Sequence, residues 1–218
     1  MSYAVMRMIK LKSDLRGIGK HIDRSFGGET ISPQNANPEE VSRNIHWDNT
    51  GKSYSQNEWT TYTKENNLQK RVNDNINKNY TQDKKIRADA VKAIEYVFTS
   101  DNQKMNEIFS DDKLYQSWIK DNRDFVSEIY GENNIVSMHL HCDEKTYHCE
   151  IVVTPVTKDG RLSAKSFIDG KKDLSAQQTA YAELMKKYGM ERGELGSTAK
   201  HQRPNTRKIN IRKHDWNR

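Results

Sequence analysis

The chain has 218 residues, of which 33% are hydrophobic and 30% charged, and 36 Lys and Arg against 30 Asp and Glu give it a net charge of +6. That length suits one domain with a single lean core, and the charge favours a polyanionic partner. No apolar run approaches the roughly 20 residues of a membrane span. The start, "MSYAVMRMIK", lacks the apolar stretch of a secretory signal, so a cytoplasmic protein is expected, with Cys142 and Cys149 as reduced thiols.

Residues 3–10 read as a first strand, and "KSDLRGIGKHIDRSF" as a short helix capped at Ser13 or Asp14, with Leu15, Ile18, Ile22 and Phe26 at helical spacing and Gly27 and Gly28 ending it. The proline-containing stretch "GETISPQNANPEE" is a loop. Residues 56–79 read as helical segments anchored by Trp59, Tyr62 and Leu68, bordering a ligand groove. Residues 91–100 alternate as a strand buried on one face. A helix follows at 111–130, then strands at 134–142 and 147–154, a turn at "KDG" (158–160) and a helix at about 174–189. The order predicts an α+β fold: a single domain with a mainly antiparallel sheet covered by helices on one face. The segment from 200 to 218 holds seven Lys or Arg and one Asp, among them Lys200 and Arg203, enough to track several phosphates.

The stretch "HLHCDEKTYHCEIVV" (139–153) crowds three histidines, an aspartate and two glutamates onto an alternating hairpin. Successive strand residues point to opposite faces. Ser137, His139, His141 and Asp143 therefore share a polar face, while Val136, Met138, Leu140 and Cys142 share an apolar one. On the returning strand the polar set is His148, Glu150 and Thr154, and Cys149, Ile151 and Val153 go to the core. A connection centred between Glu144 and Lys145 puts 141 opposite 148 and 139 opposite 150. Cross-strand neighbours lie about 5 Å apart, so His141, His148 and Glu150 converge on one divalent cation, with Mn²⁺, Zn²⁺, Co²⁺ and Fe²⁺ all compatible. The alternative is an exposed strand decorated with histidines.

The hairpin "HCDEKTYHCE" resembles the H-x-D-E-x-x-x-H-x-H motif of the MobV relaxases, the Mob/Pre plasmid mobilisation and recombination proteins. The likeness extends to "SYAVMRMIKLK", "GKHIDRSF", "IRADAV" and "RGELGSTAKH" in the same order. The resemblance implies an HUH-endonuclease-like fold and a metal-dependent enzyme that nicks single-stranded or hairpin DNA at a plasmid origin of transfer, using a histidine in place of the usual relaxase tyrosine. It implies His21 as nucleophile, Glu144 orienting it, Arg24 beside the DNA phosphate, Asp143 supporting the metal histidines and Arg87 as a further phosphate contact. Residues 1–200 correspond to the relaxase domain, and 201–218 to a basic tail that begins a further C-terminal region, which dimerises in full-length members. Neither a small-molecule substrate nor a membrane is expected for this segment.

Two departures from the motif stand out. Glu150 replaces the usual third histidine, which shifts preference toward harder ions, Mn²⁺ or Mg²⁺, with His139 as an alternative ligand. Tyr147 stands where proline is common. Two other readings compete: a non-catalytic origin-DNA-binding module, and a rolling-circle initiator whose nucleophile is a tyrosine, for which Tyr181 and Tyr188 share one helix.

Overall fold

The computed structural model describes residues 1–12 and 14–196. The elements in chain order are β1 (Ser2–Tyr3), β2 (Val5–Leu11), α1 (Arg16–Asp23), β3 (Ser25–Phe26), β4 (Glu29–Thr30), β5 (Ile45–Asp48), β6 (Ser53–Ser55), α2 (Gln56–Glu65), α3 (Leu68–Asn79), β7 (Ala93–Thr99), α4 (Asn102–Phe109), α5 (Asp112–Tyr130), β8 (Ile135–His141), β9 (His148–Val153), α6 (Lys171–Met185) and β10 (Met190–Glu191). Polar residues set several helix starts: Asp101, Asp111 and Asn67 accept backbone N–H groups at the heads of α4, α5 and α3. The Glu58 carboxylate closes a capping box on Ser55 at the head of α2.

Six strands form one antiparallel sheet in the order β2-β7-β9-β8-β5-β6. Its two central strands, β9 and β8, are buried along their whole length. This confirms the single α+β domain with a mainly antiparallel sheet and corrects the expectation of helices on one face only. Met105, Trp118, Phe125 and Tyr181 from α4–α6 pack on Phe98, Cys149, Ile151 and Leu140. On the opposite face, Leu15, Ile22, Leu68, Val72 and Ile76, contributed by α1, α3 and the residue before α1, pack on Ala93, Val136 and Val152. Strand β7 is accordingly buried on both faces, and Tyr96 and Phe98 on one side alternate with Ala93 and Glu95 on the other.

A β-bulge between Ile135 and Ser137 adds one residue to β8 and turns Val136 onto the α1–α3 side, away from Met138 and Leu140 with which simple alternation groups it. Helix α1 ends at Asp23, earlier than its spacing predicts, because Arg24 takes the left-handed conformation (φ 48°, ψ 33°). Gly27 and Gly28, both at positive φ, instead turn the β3–β4 hairpin. Strands β5 and β6 and helix α4 have no counterpart in the elements read from the sequence. Among the described residues no helix is long and apolar enough to cross a membrane. Residues 197–218, including Lys200, Arg203 and the basic tail, lie outside the described residues, as does Ser13.

Candidate active site

The β8–β9 hairpin adopts the register expected from its alternation: His139 faces Glu150 and His141 faces His148. The polar face this creates is not exposed; His141 and Glu150 are 0% and 3% accessible under α1. His141 Nδ1 lies 3.1 Å from His148 Nε2 and 3.7 Å from Glu150 Oε2, and His148 Nε2 lies 3.5 Å from Glu150 Oε1.

Backbone carbonyls fix both tautomers. A carbonyl only accepts, so His141 Nε2–H donates to Ile22 O (2.9 Å) and His148 Nδ1–H to Thr146 O (3.1 Å). The two remaining ring nitrogens then face each other beside a buried carboxylate whose Oε2 has no hydrogen-bond partner. Two facing lone pairs repel unless a proton or a cation lies between them. Burial disfavours a charged His148 ring, yet the hydrogen bond and charge of Glu150 raise its pKa above the ordinary value. Burial likewise works to raise the Glu150 carboxyl, and His148 and nearby positive charge hold it below normal. Each group thus favours the charged form of the other, and the cluster attracts positive charge. Among the described residues these three are the group with metal-holding geometry, and two imidazoles with one carboxylate suit a small divalent ion.

The last turn of α1 lies against this cluster. A helix leaves its final carbonyls without intrahelical partners, and here site residues take them. Arg24 Nη1 donates to His21 O, His141 Nε2 to Ile22 O, and Gln56 Nε2 to Asp23 O (3.1 Å) and Arg24 O (3.4 Å). His21 thereby projects its ring to the edge of the cluster, with Nε2 3.8 Å from Glu150 Oε1 and the side chain 36% exposed. Burial, helped by Arg24 and opposed by Glu150, lowers its pKa, so the ring is neutral near pH 7 and carries a free lone pair.

Arg24, expected beside the DNA phosphate, lies wholly inside. Its guanidinium bonds Asp143 (2.8 and 3.1 Å) and Glu144 (2.7 Å) and has no accessible surface left for a phosphate. These bonds also offset the cost of its left-handed backbone, about 1–2 kcal/mol for a residue with a Cβ. Asp143 and Glu144 are thus held by Arg24: Asp143 supports Arg24 and not the histidines, and Glu144 influences His21 through its charge. His139 is turned away from the cluster. Its Nδ1 meets His46 Nδ1 (2.8 Å) and its Nε2 meets Ser137 Oγ (2.8 Å).

Arg87 is paired with Asp89 and exposed. It precedes Ala93, whereas Phe98 is the residue of β7 beside Cys149; five strand residues, roughly 17 Å, separate the two ends. Tyr181 and Tyr188 lie on the far face of the sheet, hydrogen-bonded to Asn122 and Asp121. Cys149 is buried in the core and Cys142 partly so, both as free thiols; burial pushes the Cys142 thiol up to about 12.

Sequence reasoning missed a second layer. His46 stacks on Trp59 at 5.2 Å and reaches Gln56 Oε1 through Nε2 (3.0 Å). Gln56 has its amide N–H groups committed to carbonyls, so its Oε1 must accept. That choice runs down the chain: His46 Nε2–H donates to Gln56, His139 Nδ1–H to His46, and Ser137 O–H to His139. Trp59 Nε1 and Arg71 donate to Asp23 (3.0 and 2.7 Å) at the end of α1. Glu95, buried on the same sheet face, is pushed up to about 8 by burial and then by the charge of Glu150, and is protonated at neutral pH. The alternation "IHWD" at 45–48 was the available signal for His46, and a lone Glu in an apolar strand the signal for Glu95.

Comparison with known proteins gives this arrangement a context. The family model described as plasmid recombination enzyme matches residues 1–209. A plasmid recombination enzyme type 3 of Staphylococcus aureus is 34% identical over 209 residues, 93% of this chain and 46% of the relative. A plasmid recombination enzyme of Streptococcus agalactiae is 32% identical over 204 residues, 92% of this chain and 38% of that protein. This chain thus spans about half the length, or less, of these relatives. Among solved structures, a Mn-bound MobM relaxase domain (MOBV; Mob/Pre) bound to plasmid pMV158 oriT DNA superposes with a TM-score of 0.76 at 30% identity, over 92% of this chain and 95% of that one. A match over nearly the whole chain, with a shared fold, establishes that the chain belongs to the Mob/Pre plasmid recombination enzyme family, the MobV relaxases.

Proposed function

We propose that this chain is a relaxase domain that nicks one DNA strand at a plasmid origin of transfer and stays attached to the new 5′ end through His21, beginning plasmid mobilisation. The observation that carries the reading is a neutral, half-exposed imidazole 3.8 Å from a buried cluster of two imidazoles and a carboxylate. The cluster fits a divalent cation: converging lone pairs and an unpartnered Glu150 oxygen call for positive charge. His141, His148 and Glu150 would hold the ion, Mn²⁺ first because a carboxylate in the set favours a harder metal. MobM was solved with manganese and oriT DNA. When bound, the ion supplies stabilisation of the charge that gathers on the non-bridging phosphate oxygens.

The protein groups do the rest. A ring nitrogen of His21 attacks phosphorus with its lone pair, the P–O3′ bond breaks, and the 3′ oxygen leaves with the bonding electrons and takes a proton from solvent. The imidazole gives up its remaining N–H proton, and a phosphoramidate to the 5′ phosphate remains. Reversal by the same 3′ hydroxyl reseals the strand. Arg24 positions the nucleophile: anchored by Asp143 and Glu144, it bonds the carbonyl of His21 and fixes where the helix ends. Lys200, Arg203 and the basic residues of 201–218 add sequence-independent phosphate contacts.

An oligonucleotide carrying the origin of transfer from the chain's own plasmid, incubated with Mn²⁺, is expected to give a denaturant-resistant protein–DNA adduct that acid hydrolyses and alkali spares. His21→Ala abolishes it and chelation suppresses it. Metal-indifferent, salt-sensitive binding without any adduct would favour the non-catalytic module.

A further inference from the structure

Helix α1 has a second flank, one residue round from His21, that the chemistry above does not use. Here a groove of about 240 Å³ opens between α1, the β3–β4 hairpin and the junction of α2 with α3. Its floor is apolar: Leu15 and Leu68 are almost fully buried, and Gly19 has no side chain where a Cβ would come within 3.0 Å of Leu68. Its rim carries Lys20, Lys64 and Phe26. Phe26, at the hairpin turn, is 56% exposed, and the Lys20 ammonium stands 3.5 Å from its ring centroid. The groove's acid, Asp23, is neutralised by Arg71 and hydrogen-bonded by the Trp59 indole, and the nearby Asp14 is paired with Arg16. The charge the groove presents is therefore positive.

A flat apolar slot with an exposed aromatic ring and two ammonium groups has the chemistry of a nucleotide subsite, where a base stacks and its phosphates are neutralised. We propose that the groove holds the base of a nucleotide adjoining the scissile phosphate, stacked on Phe26, with Lys20 and Lys64 at the flanking phosphates. Lys20 directly precedes His21, about 100° round the helix, so a strand lying across His21 brings its neighbouring nucleotide to this rim. The proposal rests on the chain acting on single-stranded DNA.

The test is anisotropy binding of a fluorescent oligothymidine of about 15 nucleotides, without metal, across a salt series. Phe26→Ala is expected to weaken binding about 5- to 100-fold and Phe26→Trp to restore it. On an abasic strand of the same length, wild type and Phe26→Ala should bind alike. Replacing both Lys20 and Lys64 by Ala should flatten the slope of log affinity against log salt by about 1.4. Phe26 is exposed, so its substitution leaves the core intact. Binding by Phe26→Ala within about twofold of wild type, or an unchanged salt slope in the lysine variant, overturns the groove while His21 adduct formation still stands. Failure of wild type to bind the oligothymidine at all likewise removes the groove, whereas the relaxase reading stands or falls separately, with the His21 adduct on origin DNA.

Discussion

Glu150 and Ile151 are neighbours on β9 whose side chains leave the strand in opposite directions, into two differently built faces. Ile151 enters an apolar cluster with Phe98, Leu140, Trp118 and Tyr181, closed by α4–α6. Glu150 enters a layer that holds Arg24, Asp143, His46, His139, His141 and His148, all buried beneath α1 and α2. Burying charge is costly unless each group is paired, and this layer satisfies nearly every group by hydrogen bonds to helix-end carbonyls and to one another. Among the exceptions, with Glu95 Oε2 and Arg71 Nε, is the Glu150 oxygen that faces the cluster. The difference separates two tasks on one strand: the far face supplies stability, and the near face holds a cation-seeking arrangement, with His21 at its edge, in one geometry.

Paired substitutions sharpen that contrast. Glu150→Gln should reduce adduct formation by at least about 100-fold while costing less metal-free stability than Ile151→Ala, since the His148 ring can shed its proton once its buried partner is gone; activity retained with a larger fall in melting temperature than Ile151→Ala gives would reverse the roles assigned to the two faces. One residue on, Ile151→Ala should cost about 2–5 kcal/mol in urea unfolding, with nicking by the folded fraction little changed. Gln56→Ala comes next, because it frees the Asp23 and Arg24 carbonyls and the His46 ring together: about 1–3 kcal/mol of stability, with a drop in the rate of adduct formation but not in DNA affinity. Equal loss in both would make Gln56 merely structural.

A further effect, spread over several groups, is on pH. His46 is held down at about 3, and His139, His141 and His21 are lowered too, with burial the first cause in each. The unfolded chain takes up protons these sites refuse, so their stability contribution is whole above about 6.5 and drains away as pH falls toward the folded values. Glu95, raised to about 8, acts in the opposite sense, and His148, raised, is protonated in both states below 6.5. The lowered histidines outnumber them, so metal-free stability should decline from pH 6.5 to 5 by urea titration, each such histidine contributing at most about 1.4 kcal/mol per pH unit. A flat profile would mean the polar layer is wetter than its packing.

The two faces were not equally legible. The β8–β9 register could be read because period-two alternation and a short connection leave one pairing that keeps Met138, Leu140, Cys149 and Ile151 together. His141, His148 and Glu150 follow from that register without any tertiary knowledge. His46 and Gln56 do not, since they join the site only through pairing of β5 with β8, some 90 residues away in sequence (His46 opposite His139). Nor could the left-handed turn at Arg24 be read, because no local preference puts an arginine there; Asp143, Glu144 and Gln56 hold it. The same turn explains why an arginine expected on the DNA is buried beside His21.

The central claim meets its most direct test in the identity of the linked residue. Trypsin cuts after Lys20 and Arg24, so an adduct treated with nuclease and trypsin should leave its phosphonucleotide on the peptide His21-Ile22-Asp23-Arg24, with tandem mass spectrometry locating the phosphorus on the imidazole. A phosphonucleotide on any tyrosine-containing peptide, with His21-Ile22-Asp23-Arg24 unmodified, would contradict the account.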